Sequence, residues 1–170
     1  KDLETSDRGG NEWRGGKGAL GVRKGPDPNP IYDTFLAAGE QSGQGITDDL
    51  NGFNPEGLSR LDATISNGRR NSSATTFLNP ALKRDNIKLQ KNILVEKIFL
   101  ENDRAVGIEV SEKGQKYRIE AEKEIILSAG ALNSPQILML SGIGPADHLR
   151  NIGSNVSHDL PGVGQNLQDH

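Results

Sequence analysis

Four groups of residues carry the plainest chemical potential. They are the adjacent acids Asp48-Asp49, the adjacent bases Arg69-Arg70, the histidines 148, 158 and 170, and the small-residue run Ser128-Ala129-Gly130-Ala131. Paired carboxylates suggest a metal or acid–base site, but no third ligand stands at a suitable spacing. Asp48-Asp49-Leu50-Asn51-Gly52 therefore reads as turn chemistry, with the acids accepting local N–H groups. An Arg fork suits carboxylate and phosphate alike, yet acidic residues are so numerous that a surface ion pair is the simpler expectation. His148 and His158 read as solvated loop or helix-end residues. The small-residue run is different in kind, because small side chains let backbone approach a ligand closely. No dinucleotide fingerprint, a Gly-x-Gly-x-x-Gly seating a pyrophosphate on a helix N-terminus, is read in the chain. No residue is assigned a catalytic role.

Composition narrows the function classes. The 20 basic and 23 acidic residues leave a net charge of −3, so no strong field favours nucleic acid. With aromatics at 4%, no base-stacking platform is available either. The absence of cysteine excludes disulfides and thiolate metal sites. No segment reads as a signal peptide, and no apolar run approaches the ~20 residues of a membrane span. Only 33% of residues are hydrophobic while Gly numbers 21, which describes a chain rich in loops and short of large core side chains.

These residues need elements to position them. Residues 1–18 read as loop, and Ala19-Leu20-Gly21-Val22 as a short strand. Asn29-Pro30 opens a helix to about Gln41, with Ile31, Phe35, Leu36 and Ala38 as one apolar stripe, ended by Gly43 and Gly45. Leu58–Ile65 alternates loosely, as a strand would. A helix capped by Asn71 or Ser72 runs to Leu78, where Asn79-Pro80 interrupts it. Ile87–Leu89 and Ile93–Leu100 are strand-like. Asn102-Asp103 turns the chain into Ala105–Val110, and Lys113-Gly114 turns it again into Tyr117–Ile119. Ile125-Ile126-Leu127 has the apolar run of a buried parallel strand leading into the small-residue turn. Ser134-Pro135 then starts a helix, Ser as cap and Pro as first residue, that Gly142 stops. A short helix near 146–150 precedes a turn-rich end.

Four blocks share a wider resemblance. Gly130-Ala131-Leu132-Asn133-Ser134-Pro135-Gln136-Ile137-Leu138-Met139-Leu140-Ser141-Gly142-Ile143-Gly144 resembles the second diagnostic motif of the glucose-methanol-choline oxidoreductases. Thr47-Asp48-Asp49-Leu50-Asn51-Gly52 with Glu56-Gly57 resembles a substrate-domain loop of the choline and alcohol dehydrogenase branch. Gly68-Arg69-Arg70-Asn71-Ser72-Ser73-Ala74 resembles the family's Arg-x-Ser-x-Ala helix start. Leu160-Pro161-Gly162-Val163-Gly164-Gln165-Asn166-Leu167-Gln168-Asp169-His170 resembles its Pro-Gly-Val-Gly-x-Asn-Leu-Gln-Asp-His block, in which His170 is structural.

The resemblance implies a mixed α+β and α/β fold: part of an FAD-binding Rossmann-type domain, interleaved with part of an antiparallel-sheet substrate domain, in an internal fragment. Residues 1–80 would belong to the substrate domain and a connecting segment, residues 81–145 to the FAD-binding domain, and residues 146–170 to a return towards the substrate side. The cofactor implied is FAD in the intact enzyme, faced by Val95 and by Ser128, Ala129, Gly130 and Ala131. The activity implied is oxidation of a primary alcohol to the aldehyde by hydride transfer to flavin, with choline the leading substrate. For a quaternary ammonium, Trp13, Tyr32, Phe35, Phe53 and Phe77 are the aromatics on hand. Another primary alcohol, and a non-catalytic binding module, are the competing readings. The chain alone is expected to be inactive, to hold no tightly bound flavin and to self-associate through Ile93–Val110 or Ser134–Ser141. Its compartment is expected to be the cytoplasm or the periphery of the inner membrane, with membrane association itself left open.

Overall fold

Strands in the first part of the chain are short because its apolar residues are few and its turns frequent. In the computed structural model, which describes residues 1–25 and 29–169, strand β1 (Glu4–Ser6) runs parallel to β2 (Leu20–Lys24). The stretch read as loop thus contributes a strand, paired through Glu4–Leu20 and Ser6–Val22. Helix α1 (Ile31–Gln41) has the expected bounds, and the Asn29 side chain accepts the Ile31 N–H at 3.1 Å. Strand β3 (Asp62–Ala63) adds antiparallel to β2. Strands β4 (Ile65–Ser66) and β5 (Arg69–Arg70) form a hairpin whose turn, Asn67-Gly68, has φ of 50° and 71°. Positive φ at both central residues is the type I′ pattern that Asn-Gly favours, a signal the sequence reading passed over.

The next helix departs from expectation. It is a π-helical turn, Ala74–Leu78, running without a break into the short helix α2 (Asn79–Ala81). Ser72 Oγ accepts the Thr75 N–H at 3.2 Å, while Thr75 Oγ1 accepts the Ser72 N–H at 2.9 Å. Pro80 does not end the helix, although it donates no N–H to the turn that precedes it. Residues 87–89 form no strand. The residues Lys1–Leu89 make one compact unit and Gln90–His170 another.

In the second unit, strands β6 (Leu94–Glu101), β7 (Arg104–Glu112) and β8 (Gln115–Glu120) form an antiparallel meander in that order. Its turns are the two read from sequence. Asn102 and Asp103 have φ of 50° and 63°, Lys113 and Gly114 of 50° and 83°. Strand β6 slips register against β7 between Val95 and Lys97 and again between Phe99 and Leu100. Helix α3 (Gly130–Leu140) packs on β6, bringing Ile137 to the core with Ile98 and Val110. Strand β9 (Ile143–Gly144) pairs parallel with β10 (His158–Asp159), with α4 (Ala146–Asn151) between them burying Ala146 and Leu149.

Two expectations fail here. Ile125-Ile126-Leu127 is not a strand, and Ile126 is 78% exposed. A buried parallel strand needs neighbours on both sides, and no described strand runs beside it. Helix α3 also begins at Gly130 rather than Ser134, so Pro135 lies inside it. Ser134 nonetheless supports the helix start, its hydroxyl accepting the Ala129 N–H at 3.0 Å.

Candidate cofactor-facing site

The small-residue run opens α3 under an unusual constraint. Gly130 has φ of +87°, a conformation that side chains rarely adopt, and a Cβ there would meet nothing within 4 Å. Ser128, Gly130 and Ala131 are exposed and Ala129 is half-buried, its N–H already donated to Ser134. Five residues on, Pro135 offers no N–H to the Ala131 carbonyl, which weakens the helical ladder just where the run joins it. Backbone that is bare, small-sided and open suits a group approaching it closely. The residues present fit a nucleotide moiety in that respect.

Val95 sits elsewhere on the same unit. It pairs with Val110 across the meander and lines a recess of about 360 Å³ with Leu94, Glu96, Lys97, Gln136, Ile137 and Leu140. Ala131 lines a larger cleft of about 1060 Å³, walled by α3 and by residues of the 163–168 loop, including Val163 and Leu167. Gln136 and Leu140 belong to both, so two side chains of α3 border the Val95 recess and the Ala131 cleft. Ser128, Ala129 and Gly130 line neither and flank the cleft at the helix start. Sequence reasoning missed Gln136, for which only its place inside the motif gave a signal.

In the first unit the structure builds a charge cluster that no motif announced. Arg14, with a side chain 3% exposed, donates to Glu4 at 2.9 Å, to Asp49 at 2.7 Å and to Asp62 at 2.6 Å. Arg8 reaches the other oxygen of Asp62 at 2.6 Å. Burial opposes the Arg14 charge, but hydrogen bonds to Asp62 and Glu4 outweigh it and raise its pKa. Burial likewise works against ionised Glu4 and Asp62. The Gly15 N–H and Arg14 overcome it at Glu4, and Arg14 and Arg8 at Asp62, so both pKa values are lowered. An acid locked to arginine in this way accepts no proton near neutrality, which makes the cluster a brace rather than an acid–base pair.

Asp49 is also the Asx acceptor read from sequence, taking the Asn51 N–H at 2.9 Å. Among the described residues no group of three potential metal ligands converges. Arg69 and Arg70 form exposed β5 and enter none of the described ion pairs, against the surface pairing expected of them. Of the five aromatics, only Trp13 and Phe53 come together, with ring centroids 5.8 Å apart. Tyr32 instead meets the Arg60 guanidinium at 6.0 Å. His148 lies in the last turn of α4, and His158 on β10 stands 3.3 Å from Asp103. His170 lies outside the described residues.

The Gly-x-Gly-x-x-Gly spacing does occur, at Gly16-Lys17-Gly18-Ala19-Leu20-Gly21, against the expectation that the chain lacks it. It leads into strand β2 rather than into a helix. With no helix N-terminus behind it, the segment has no dipole to hold a pyrophosphate. No helix among the described residues is long and apolar enough to cross a membrane.

A family model described as GMC oxidoreductase matches residues 3–170. An oxygen-dependent choline dehydrogenase of Sinorhizobium fredii is 48% identical over 170 residues, all of this chain and 31% of that protein. The human mitochondrial choline dehydrogenase is 49% identical over 162 residues, 95% of this chain and 27% of its own length. Among solved structures, an FAD-dependent oxidoreductase from Chaetomium thermophilum superposes with a TM-score of 0.91 at 28% identity, covering 99% of this chain and 32% of the other. Pyridoxine 4-oxidase from Mesorbium loti gives 0.87 at 30% identity, covering 94% and 32%. The chain therefore spans about a third of the length of the relatives it matches.

Proposed function

The chain belongs to the GMC oxidoreductase family, and we propose that it forms part of an FAD-dependent enzyme that oxidises a primary alcohol, choline first among the candidates. The observation that carries this reading is the match to choline dehydrogenases at close to half identity along the whole chain. Bound FAD would supply the hydride acceptor for the alcohol carbon. The residues of this chain bind and orient rather than react. Ser128, Ala129, Gly130 and Ala131 are assigned to the adenosine end, and Val95 would face the cofactor from its own recess on β6. In this reading residues 1–80 serve the substrate domain, 81–145 the FAD-binding domain, and 146–170 return towards the substrate side. The protein works as a homo-oligomer in the cytoplasm or at the inner-membrane periphery.

The test uses the full-length protein. It should purify yellow, with the flavin band near about 450 nm, and reduce an artificial electron acceptor faster with choline than with other primary alcohols. Ala131→Leu should weaken FAD retention, since the added side chain enters the space the small residue leaves. A colourless protein that binds no FAD on reconstitution would overturn the reading, and preference for another alcohol would remove choline alone. The 170-residue chain by itself should show no turnover and leave gel filtration without flavin.

A further inference from the structure

Ser141 closes α3 and at the same time reaches β6. Its hydroxyl donates to the Ile137 carbonyl at 2.6 Å and accepts the Ile98 N–H at 2.8 Å. Ile98 and Ile137 are both buried, so the hydroxyl sits where helix meets sheet. Strand β6 is the outermost of the meander, and no strand of that sheet lies beyond it to take the Ile98 N–H. The next residue locks the junction from the other side. Gly142 has φ of +81°, and a Cβ there would lie 2.7 Å from Ser157 Oγ. Its carbonyl accepts the N–H groups of Ser157 at 2.8 Å and His158 at 3.0 Å. Helix end, sheet edge and the strand β10 segment are thereby tied at two adjacent residues.

The geometry matters because α3 links two features. Ser141 follows its last turn, while Ala131 stands at its start, about 15 Å away at 1.5 Å per residue. Val95 lies three residues before Ile98 on β6. A helix that slid or rotated on β6 would change the separation between Val95 and the small-residue run. We infer that Ser141 is a positioning residue for FAD: its one hydroxyl fixes the register of α3 on β6 and so holds Val95 and the small-residue run, the two stretches assigned to the cofactor, at a set separation. The inference rests on the reading of Val95 and Ser128–Ala131 proposed above.

The experiment compares Ser141→Thr with Ser141→Val in the full-length flavoprotein. The two side chains have nearly the same shape, and only Thr carries the hydroxyl. FAD dissociation constants are measured by flavin fluorescence on the apoprotein, and hydrogen exchange is followed at the Ile98 amide. S141V should weaken FAD by roughly tenfold, as expected when a buried donor loses its partner, and should lose protection at Ile98. S141T should stay close to wild type in both. Equal FAD affinity in the two variants would overturn the assignment. If S141V does not accumulate folded, S141A is measured in its place, and failure of both to fold would make the hydroxyl a folding requirement and overturn the positioning role. Ala131→Leu separates the two ideas. If it leaves FAD affinity unchanged, the site reading falls; if it weakens FAD while S141V does not, only the role of Ser141 falls.

Discussion

The two compact units solve the same shortage of large apolar residues in opposite ways. Gln90–His170 builds a conventional core: a three-stranded meander with a helix on it, burying Ile98, Val110, Ile137 and Leu149. Lys1–Leu89 has strands of two to five residues, and its buried centre is a guanidinium among three carboxylates. Non-directional burial tolerates rearrangement, whereas a buried charge demands every partner in place. The first unit should therefore fail abruptly when one charge is removed, and the second in proportion to the volume lost.

Arg14→Leu should be the most damaging change. It leaves Glu4 without its cation and Asp49 and Asp62 with Arg8 alone, and should cost about 3–5 kcal/mol, seen by hydrogen exchange as loss of protection over residues 1–24 and 47–63 with the meander unaffected. Normal protection there would erase the contrast between the units. In the second unit, Leu149→Ala empties a site where the side chain is fully buried and should cost about 3 kcal/mol, read as a lower denaturation midpoint for Gln90–His170 alone.

Acid should separate the units as well. Glu4 and Asp62 have folded pKa values below their unfolded ones, so their contribution is present above the unfolded values, around pH 4, and is lost as pH falls through the folded values. The first unit should loosen below about pH 4 before the second. Glu96 is lowered too, through its hydrogen bond from Lys116, but Lys116 is exposed and solvent screens the pair. Simultaneous acid unfolding of both units would count against the brace. The smallest effect expected is a gain. Lys113 holds φ of 50°, and Lys113→Asn should stabilise the meander by about 0.5 kcal/mol, Asn being favoured in that turn. An unchanged melting profile would show that the turn is set by its strands.

Local chemistry was legible and long-range pairing was not. The turns at Asn102-Asp103 and Lys113-Gly114 specify their hairpins within a few residues, and α1 was bounded by its own caps and glycines. Arg14 was invisible because its partners lie 10, 35 and 48 residues away in a segment that composition marks as loop. Ile125–Leu127 misled in the reverse direction, since an apolar run signals a buried strand only where neighbours exist to bury it. In the sequence Ser141 stands only inside a motif, with Gly142 as the helix stop. Its bond to Ile98 spans 43 residues and could not be inferred from spacing.

The two register slips in β6 have a consequence for how the protein behaves in a crowded solution. A flat, regular outer strand is a template onto which another chain can add its own, and a stack begun that way has no natural end. Irregularities at Val95–Lys97 and Phe99–Leu100 break the even spacing of donors and acceptors, and α3 already takes the Ile98 N–H through Ser141. On the opposite margin, β8 alternates Lys116, Arg118 and Glu120. Open-ended growth by strand addition is discouraged at both margins, so copies of this unit that meet should form assemblies of finite size.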